Sequence, residues 1–122
     1  MRRPILLAML LLAGCAAPIV PPLSQSQQAV TAIELDYVQK FLVPAAAYDL
    51  LPRCPQSAGG PCSEAATIDK LRAAQVKLHQ AIYALRDFSD AAPTTDATTL
   101  IANTRASLAS AEALLPATGG KP

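Results

Sequence analysis

The sequence predicts an all-α fold, a small antiparallel three-helix bundle. Three stretches repeat apolar side chains at helical spacing, and no stretch alternates apolar and polar residues with the period of a β-strand. Proline and glycine clusters separate these stretches, and alanine, which favours helix and close helix packing, is abundant. Three amphipathic helices with short connections favour an antiparallel bundle.

The first predicted helix runs from about Gln27 to Val43. Its apolar face is built from residues three or four apart, widened by three neighbours: Val30, Ile33, Tyr37 and Phe41, with Leu35, Val38 and Leu42 beside them. Asp36 and Lys40 are spaced for an ion pair along the helix. Pro44 disfavours helix at the residue before it, so residues 45–51 form either a separate short helix or a kinked continuation. The sequence leaves both possibilities open.

The second predicted helix runs from about Ser63, its N-cap, to Phe88. Six residues follow a heptad pattern that predicts a buried seam: Ile68, Leu71, Gln75, Leu78, Ile82 and Leu85. Gln75 inside this seam suggests a site that sets helix register or a self-association face. Val76 and Tyr83, seven residues apart on a neighbouring face, suggest contact with a further partner helix. Gln75, Val76 and Tyr83 are therefore the candidate partner-facing residues.

The third predicted helix is capped by Thr94, Thr95 or Asp96 and reaches about Leu115. Its apolar stripe comprises Ile101, Leu108, Ala111 and Leu115, with Leu100 and Leu114 beside it. The connection before it contains Pro93, a helix breaker. The proline- and glycine-rich residues 116–122 are expected to form a disordered tail.

A proline- and glycine-rich loop between the first two helical units contains Cys54 and Cys62. In an exported chain, two cysteines eight residues apart in such a loop predict a structural disulfide. Closing so short a loop contributes about 2.5 kcal/mol in the chain-entropy treatment. The disulfide would join the end of the first helical unit to the start of the second.

The amino-terminal segment has the features of a secretory signal. Arg2 and Arg3 precede an apolar core that is too short to span a bilayer, since a membrane-spanning helix needs about 20 residues. The core ends in residues 12–15, Leu-Ala-Gly-Cys. This tetrapeptide resembles the lipobox of bacterial lipoproteins, a resemblance that covers residues 1–15 only. It implies cleavage before Cys15, which would then carry a diacylglycerol thioether and an N-acyl chain, and so attach the protein to a membrane.

The expected organisation has four parts. Residues 1–14 form the signal peptide, 15–27 the lipidated amino terminus and tether, 28–115 the helical domain, and 116–122 the tail. Prolines in the tether bar helix and stiffen it, so the tether is expected to lift the domain off the membrane surface. Ala16 follows the cysteine where enteric lipoproteins of the inner membrane have aspartate, which favours the outer membrane.

The charge balance and the absence of known motifs in the sequence argue against nucleic-acid binding, catalysis and metal binding. After removal of Arg2 and Arg3 the chain has eight basic and nine acidic side chains, a balance that predicts no nucleic-acid partner. His79, the only histidine, is expected to be a partly exposed polar residue, and no catalytic motif accompanies it. Asp87, Asp90 and Asp96 lack the spacing of a calcium loop. No cofactor or metal is expected.

The leading interpretation is a non-enzymatic lipoprotein of the bacterial cell envelope. It would face the periplasm and act as a helical interaction or accessory module for another envelope protein. One alternative is a lipoprotein that binds a small ligand or a peptidoglycan fragment in an apolar pocket near Tyr48 and the disulfide loop. Tyr37, Tyr48 and Tyr83 could line a peptide or glycan groove, but their helical spacing favours packing at the edge of the core. Another alternative is a prophage lysis or exclusion lipoprotein.

Overall fold

A computed structural model describes residues 19–55 and 60–117 of the chain. The predicted all-α bundle is confirmed. Its helices are α1 (Gln25–Asp36), α2 (Val43–Asp49), α3 (Ala65–Ala91) and α4 (Thr98–Glu112), and a π-helical turn (Tyr37–Leu42) joins α1 to α2. Over the described ranges there is no strand; Arg53 and Ser63 form a single parallel bridge. The lipobox with Cys15, residues 56–59 of the loop and residues 118–122 of the predicted tail lie outside the described residues.

Contacts between helices define an up-down-up topology. Near the start of α1, the Gln27 amide donates to Asp90 at the end of α3 over 3.3 Å. At the opposite end, the backbone N–H of Glu64 donates to the Tyr48 hydroxyl over 2.9 Å. α1 and α3 are therefore antiparallel, and α4 runs back along α3. Two ends result: the entry end, where residues 19–24 and the α3–α4 connection lie, and the disulfide end with Cys54 and Cys62. Among the described helices, none is both long and apolar enough to cross a membrane.

The first helix begins at Gln25, earlier than expected, because Ser24 caps it. The Ser24 hydroxyl accepts from the Gln27 N–H over 3.2 Å, and the Gln27 side chain accepts from the Ser24 N–H over 2.9 Å. This reciprocal pair is a capping box, which satisfies two of the donors that a helix start leaves free. The last residues of the predicted tether, 25–27, are therefore helical.

Pro44 does not break the helix, contrary to the expectation for the residue before it. Val43 keeps helical backbone angles and donates to the Val38 carbonyl, five residues back. The wider π turn accommodates a proline that has no N–H to donate, and Pro44 lies in the first turn of α2. Of the two open possibilities, the structure shows the continuation, which extends to Asp49.

The core cluster contains all four residues predicted for the main apolar face of the first helix, two from α1 and two from the π-helical turn: Val30, Ile33, Tyr37 and Phe41. Leu42 packs at the edge of the core, whereas Leu35 and Val38, which were expected to widen the face, are exposed.

The predicted seam of α3 is also buried except at Gln75, which is exposed. Half-buried Ala74 packs against the core in its place. Of the apolar stripe predicted for the third helix, Leu108 and Ala111 are buried in the core. Leu100, Ile101 and Leu115 pack at the edge of the core, and Leu114 is exposed.

Two helix starts differ from the expected caps. α3 begins at Ala65 after Glu64, and Ser63 bonds to the preceding loop instead of capping the helix. At α4 the Asp96 carboxylate accepts from both the N–H and the hydroxyl of Thr98, over 2.9 and 2.6 Å. The N-cap residue of α4 is Ala97, so none of the three predicted caps occupies that position. Asp96 nevertheless accepts from the first residue of the helix, and these hydrogen bonds lower the pKa of its carboxyl.

Candidate functional site

The outer face of α3 carries the exposed apolar side chains singled out from the sequence. Val76 and Tyr83 expose 58% and 48% of their surface. His79 lies between them in the chain, and its ring meets the Tyr83 ring edge to face with centroids 4.4 Å apart. Because α1 and α4 cover the opposite side of α3, no helix of the described chain covers this face. We call Val76, His79 and Tyr83 the outer face.

Gln75 belongs to a different surface from the outer face. It lines an open groove of about 280 Å³ between α2 and α3, with Leu42 and Ala45 on one wall and Arg72 nearby. Its amide lies in solvent and not inside the packed seam. The candidate partner-facing residues Gln75, Val76 and Tyr83 are therefore all accessible: Gln75 lines the groove, and Val76 and Tyr83 belong to the outer face.

The disulfide end brings Cys54 and Cys62 to within sulfur bonding range, with Cα atoms 5.2 Å apart. This separation falls within the range of protein disulfides. The backbone holds the two segments together beside the sulfurs, since the Cys54 N–H donates to the Ser63 carbonyl over 3.1 Å and the Ser63 N–H donates to the Pro52 carbonyl over 2.8 Å. The pair lies where the sequence predicted it, between the end of α2 and the start of α3.

A polar network that the sequence analysis missed supports this end. Fully buried Ser63 accepts from the Arg53 guanidinium over 2.7 Å and donates to the Leu51 carbonyl over 3.0 Å. Arg53 also donates to Asp49 over 2.9 Å, and Arg72 of α3 donates to the other oxygen of Asp49 over 3.3 Å. The hydrogen bond from Arg53 is the main reason that the pKa of the Asp49 carboxyl is lowered. One signal was available in the sequence: Asp49 and Arg53 have i, i+4 spacing in the favourable order.

The tyrosines do not share one groove. Tyr37 is buried and stacks on Phe41 with ring centroids 6.0 Å apart, and burial raises the pKa of its hydroxyl. The hydroxyl of half-buried Tyr48 accepts from the Glu64 backbone, and Tyr83 lies on the outer face. Tyr37 therefore belongs to the core, Tyr48 to the disulfide end and Tyr83 to the outer face.

Further open grooves flank α4. One of about 490 Å³ lies between α3 and α4 on a floor of alanine and serine, with Lys70 and Lys77 at its rim. Another of about 540 Å³ lies at the entry end between the starts of α1 and α4, lined by Ser26, Asp96 and Arg105 among others. Small side chains on facing helices leave these spaces, since alanine cannot fill the gap between helix axes.

Two further ion pairs involve helix residues. Arg86 of α3 forms an ion pair with Glu34 of α1. Asp36 and Lys40 form the predicted pair at 3.0 Å. Within residues 19–55 and 60–117, no group of histidine, cysteine, aspartate or glutamate side chains is arranged to hold a metal ion.

The fold defines a class of protein: a small all-α helical bundle with a cysteine pair at disulfide distance. No known protein family, curated protein or solved structure matches this chain. Its function is therefore argued from its own residues.

Proposed function

We propose that this protein is a non-enzymatic lipoprotein of the bacterial cell envelope whose helical domain binds another envelope protein. Lipid on Cys15 would hold it on a membrane, with the domain in the periplasm and the outer membrane favoured. The observation that carries the binding role is the outer face: Val76 and Tyr83 are large apolar side chains that remain about half exposed on α3.

Two features support export and anchoring. The basic start, short apolar core and Leu-Ala-Gly-Cys end of residues 1–15 resemble a lipoprotein signal. The cysteine pair at the disulfide end supports an oxidising compartment, because disulfides persist outside the cytosol and are rare within it. Several acyl chains on one cysteine give stable membrane attachment, whereas a single chain is marginal.

The chemistry of the outer face fits a protein partner. Tyr83 combines a large apolar ring with a hydroxyl, and aromatic residues are enriched at the centres of protein interfaces. The edge-to-face contact with His79 holds the Tyr83 ring in a defined position, which lowers the conformational entropy lost on binding. The protein would supply one or two such anchor residues, with the polar residues of α3 around them.

Intact mass tests the anchor directly. The protein purified from membranes is expected to lack residues 1–14 and to carry the added mass of the acyl groups on Cys15. A product with its initiator end intact and a free thiol at Cys15 would refute the lipoprotein assignment.

Site-specific photo-crosslinking tests the outer face. A photoreactive residue at position 76 or 83, introduced in the native host, is expected to capture one defined envelope protein. The double variant Val76→Ser/Tyr83→Ser is expected to lose co-purification of that protein, because the apolar contact area is gone.

Leu35 provides the matched control. It is as exposed as Val76, at 57%, but lies on α1. Leu35→Ser is expected to retain the partner. Equal loss with Leu35→Ser, or an unchanged partner with the double variant, would contradict a binding role for the outer face.

A ligand-binding role has one observation in its favour, the groove of about 280 Å³ beside the disulfide end. Asp49, Arg72 and Gln75 line this groove together with apolar side chains. Its volume is just below the roughly 300–1,000 Å³ typical of small-molecule sites, and it is open. Titration with muropeptides, followed by the amide chemical shifts in NMR spectra, would test this role. Shift changes confined to residues of this groove would favour the ligand-binding alternative.

A further inference from the structure

The segment before α1 exposes large apolar side chains on the entry end of the bundle. Ile19, Val20 and Leu23 expose 95%, 79% and 54% of their surface. Single exposed apolar residues are common, but three within five consecutive positions are a concentration that soluble surfaces usually avoid. We call residues 19–23 the entry segment.

Leu23 is held in place although its side chain is uncovered. Its carbonyl accepts from the Gln28 side chain over 3.0 Å, and the capping box fixes the next residue, Ser24. Helix starts of this kind often bury the residue before the cap against an apolar residue at the fourth helical position. Here that position is Gln28, so Leu23 lacks an apolar partner there and its side chain points outward from a fixed backbone.

The surroundings of the entry segment are uncharged. Residues 16–33 contain no acidic or basic side chain, and the neighbouring connection between α3 and α4 has none from Ala91 to Thr95. Charged residues that the structure places at this end are Asp90, which accepts from Gln27, Asp96, which accepts from Thr98, and Arg105, which lines the groove between α1 and α4. An apolar, uncharged surface fits the interface of a zwitterionic bilayer, whereas an anionic surface would need basic residues.

We propose that the entry segment docks into the interface of the lipid bilayer, with Ile19, Val20 and Leu23 entering its apolar boundary. This proposal rests on the proposed lipid anchor, because Cys15 lies only eight residues before Leu23. It revises the expectation that the tether lifts the domain off the membrane. Attachment at two points places the entry end against the lipid and directs the disulfide end away from it.

A projecting tether and a docked entry segment place position 23 at different depths relative to the membrane. Eight proline-rich residues in extended form span about 25 Å, so a freely projecting tether carries position 23 well outside the interface. A docked segment keeps position 23 within the boundary region, about 5–10 Å deep, that interfacial segments occupy.

A single introduced tryptophan measures this depth, because the protein contains none. Leu23→Trp and Val20→Trp would be prepared as the full lipidated protein and reconstituted into phosphatidylcholine vesicles, with and without bromine on the acyl chains. Both are expected to lose emission in brominated vesicles and to emit at shorter wavelength than in detergent-free buffer. Because no basic residue takes part, high salt is expected to leave the quenching unchanged.

Val76→Trp is the matched control, since Val76 is exposed to nearly the same extent as Leu23 but lies on the outer face of α3. It is expected to remain unquenched. Three results would overturn docking: no quenching at positions 20 and 23, equal quenching at position 76, or a blue shift at position 23 without quenching, which indicates a protein contact. The intact mass of the same samples distinguishes failure of the docking proposal from failure of the lipid anchor. Acylated protein without quenching rejects docking alone, whereas unacylated protein rejects the anchor as well.

Discussion

At the scale of single residues, the buried polar side chains of the bundle all form hydrogen bonds close to their own position in the chain or to a neighbouring loop. In the part of the chain that the structure describes, four polar side chains are buried, and all are serine or threonine: Ser26, Ser63, Ser89 and Thr104. Ser89 and Thr104 donate to backbone carbonyls three or four residues earlier on their own helices, over 2.9 and 2.8 Å. Ser26 shares a 3.0 Å hydrogen bond with Ser24. Short hydroxyl side chains can thus be buried without a partner on another helix, which is why apolar periodicity did not reveal them.

Asp49 is the residue through which acid is expected to weaken the disulfide end. Its folded-state pKa is lowered, so its contribution is present above the unfolded value of 3.8 and is lost as pH falls through the lower folded value. Asp49→Asn is therefore expected to lower the urea midpoint at neutral pH, and the difference from the native protein should shrink as pH falls below 3.8 and vanish below the lowered folded-state pKa. In an Arg53→Met background the effect of Asp49→Asn should shrink, since the main partner is gone. A difference that persists at low pH would show that Asn acts through something other than the ion pairs.

At the scale of elements, the heptad pattern on α3 misplaced one residue. The pattern assigned Gln75 to the seam, but the facing residues of α2 include Ala45 and Ala46, which are too small to cover it. The amide remains in water, where it avoids the cost of burying a polar group, and Ala74 takes the place at the core. Periodicity defines the centre of a helix face well and its edges poorly, because the neighbouring element decides how far coverage extends.

Substitutions on α3 test this revised seam. Leu78→Ala is expected to cost about 2–5 kcal/mol of unfolding free energy, since Leu78 is buried at the centre of the core. Gln75→Ala is expected to change it by less than about 0.5 kcal/mol, as is usual for exposed positions. Chemical denaturation monitored by circular dichroism measures both. A cost for Gln75→Ala above about 1 kcal/mol would restore the buried-seam interpretation.

The junction of α1 and α2 shows what an element gains from irregularity. A regular α-helix across Pro44 would lose a hydrogen bond and bring the ring against the preceding turn. The π turn instead lets Val43 donate to Val38, and the helix continues far enough for Asp49 to meet Arg72 and for Tyr48 to meet Glu64. The sequence left this junction open because a proline signals a disturbance in a helix without specifying whether it ends or widens.

At the scale of the whole molecule, opposite ends of the bundle are built differently. The entry end combines a capped helix start with an uncharged apolar segment. The disulfide end combines the cysteine pair with hydrogen bonds between Arg53, Ser63 and Asp49. With the lipid anchor and the docked entry segment that we propose, the protein is attached to the membrane at the entry end and stabilised by the cysteine pair at the other end. The outer face of α3 lies between these two ends.

The cysteine pair is expected to stabilise the whole bundle. Closing a loop with a separation of eight residues contributes about 2.5 kcal/mol in the chain-entropy treatment. Cys54→Ser/Cys62→Ser is therefore expected to unfold at lower denaturant concentration, and reducing agent should shift the native protein to the same midpoint. Reducing agent should leave the double variant unchanged. A native protein that is insensitive to reduction would show that the cysteines carry no disulfide.

Sequence alone was sufficient to predict that the chain is helical, approximately where the three long helical units lie, which residues form the centre of each apolar face, and where the two cysteines meet. These are local properties, set by the spacing of side chains and by the proline- and glycine-rich connections, whereas the exact helix ends were not predicted. Three features followed from helix packing and could not be read from spacing: Leu35 and Val38 are exposed, Gln75 lies outside the seam, and Arg86 pairs with Glu34 of another helix. Burial and charge pairing between helices depend on which neighbouring helix lies alongside a given flank and on the size of the residues it presents there.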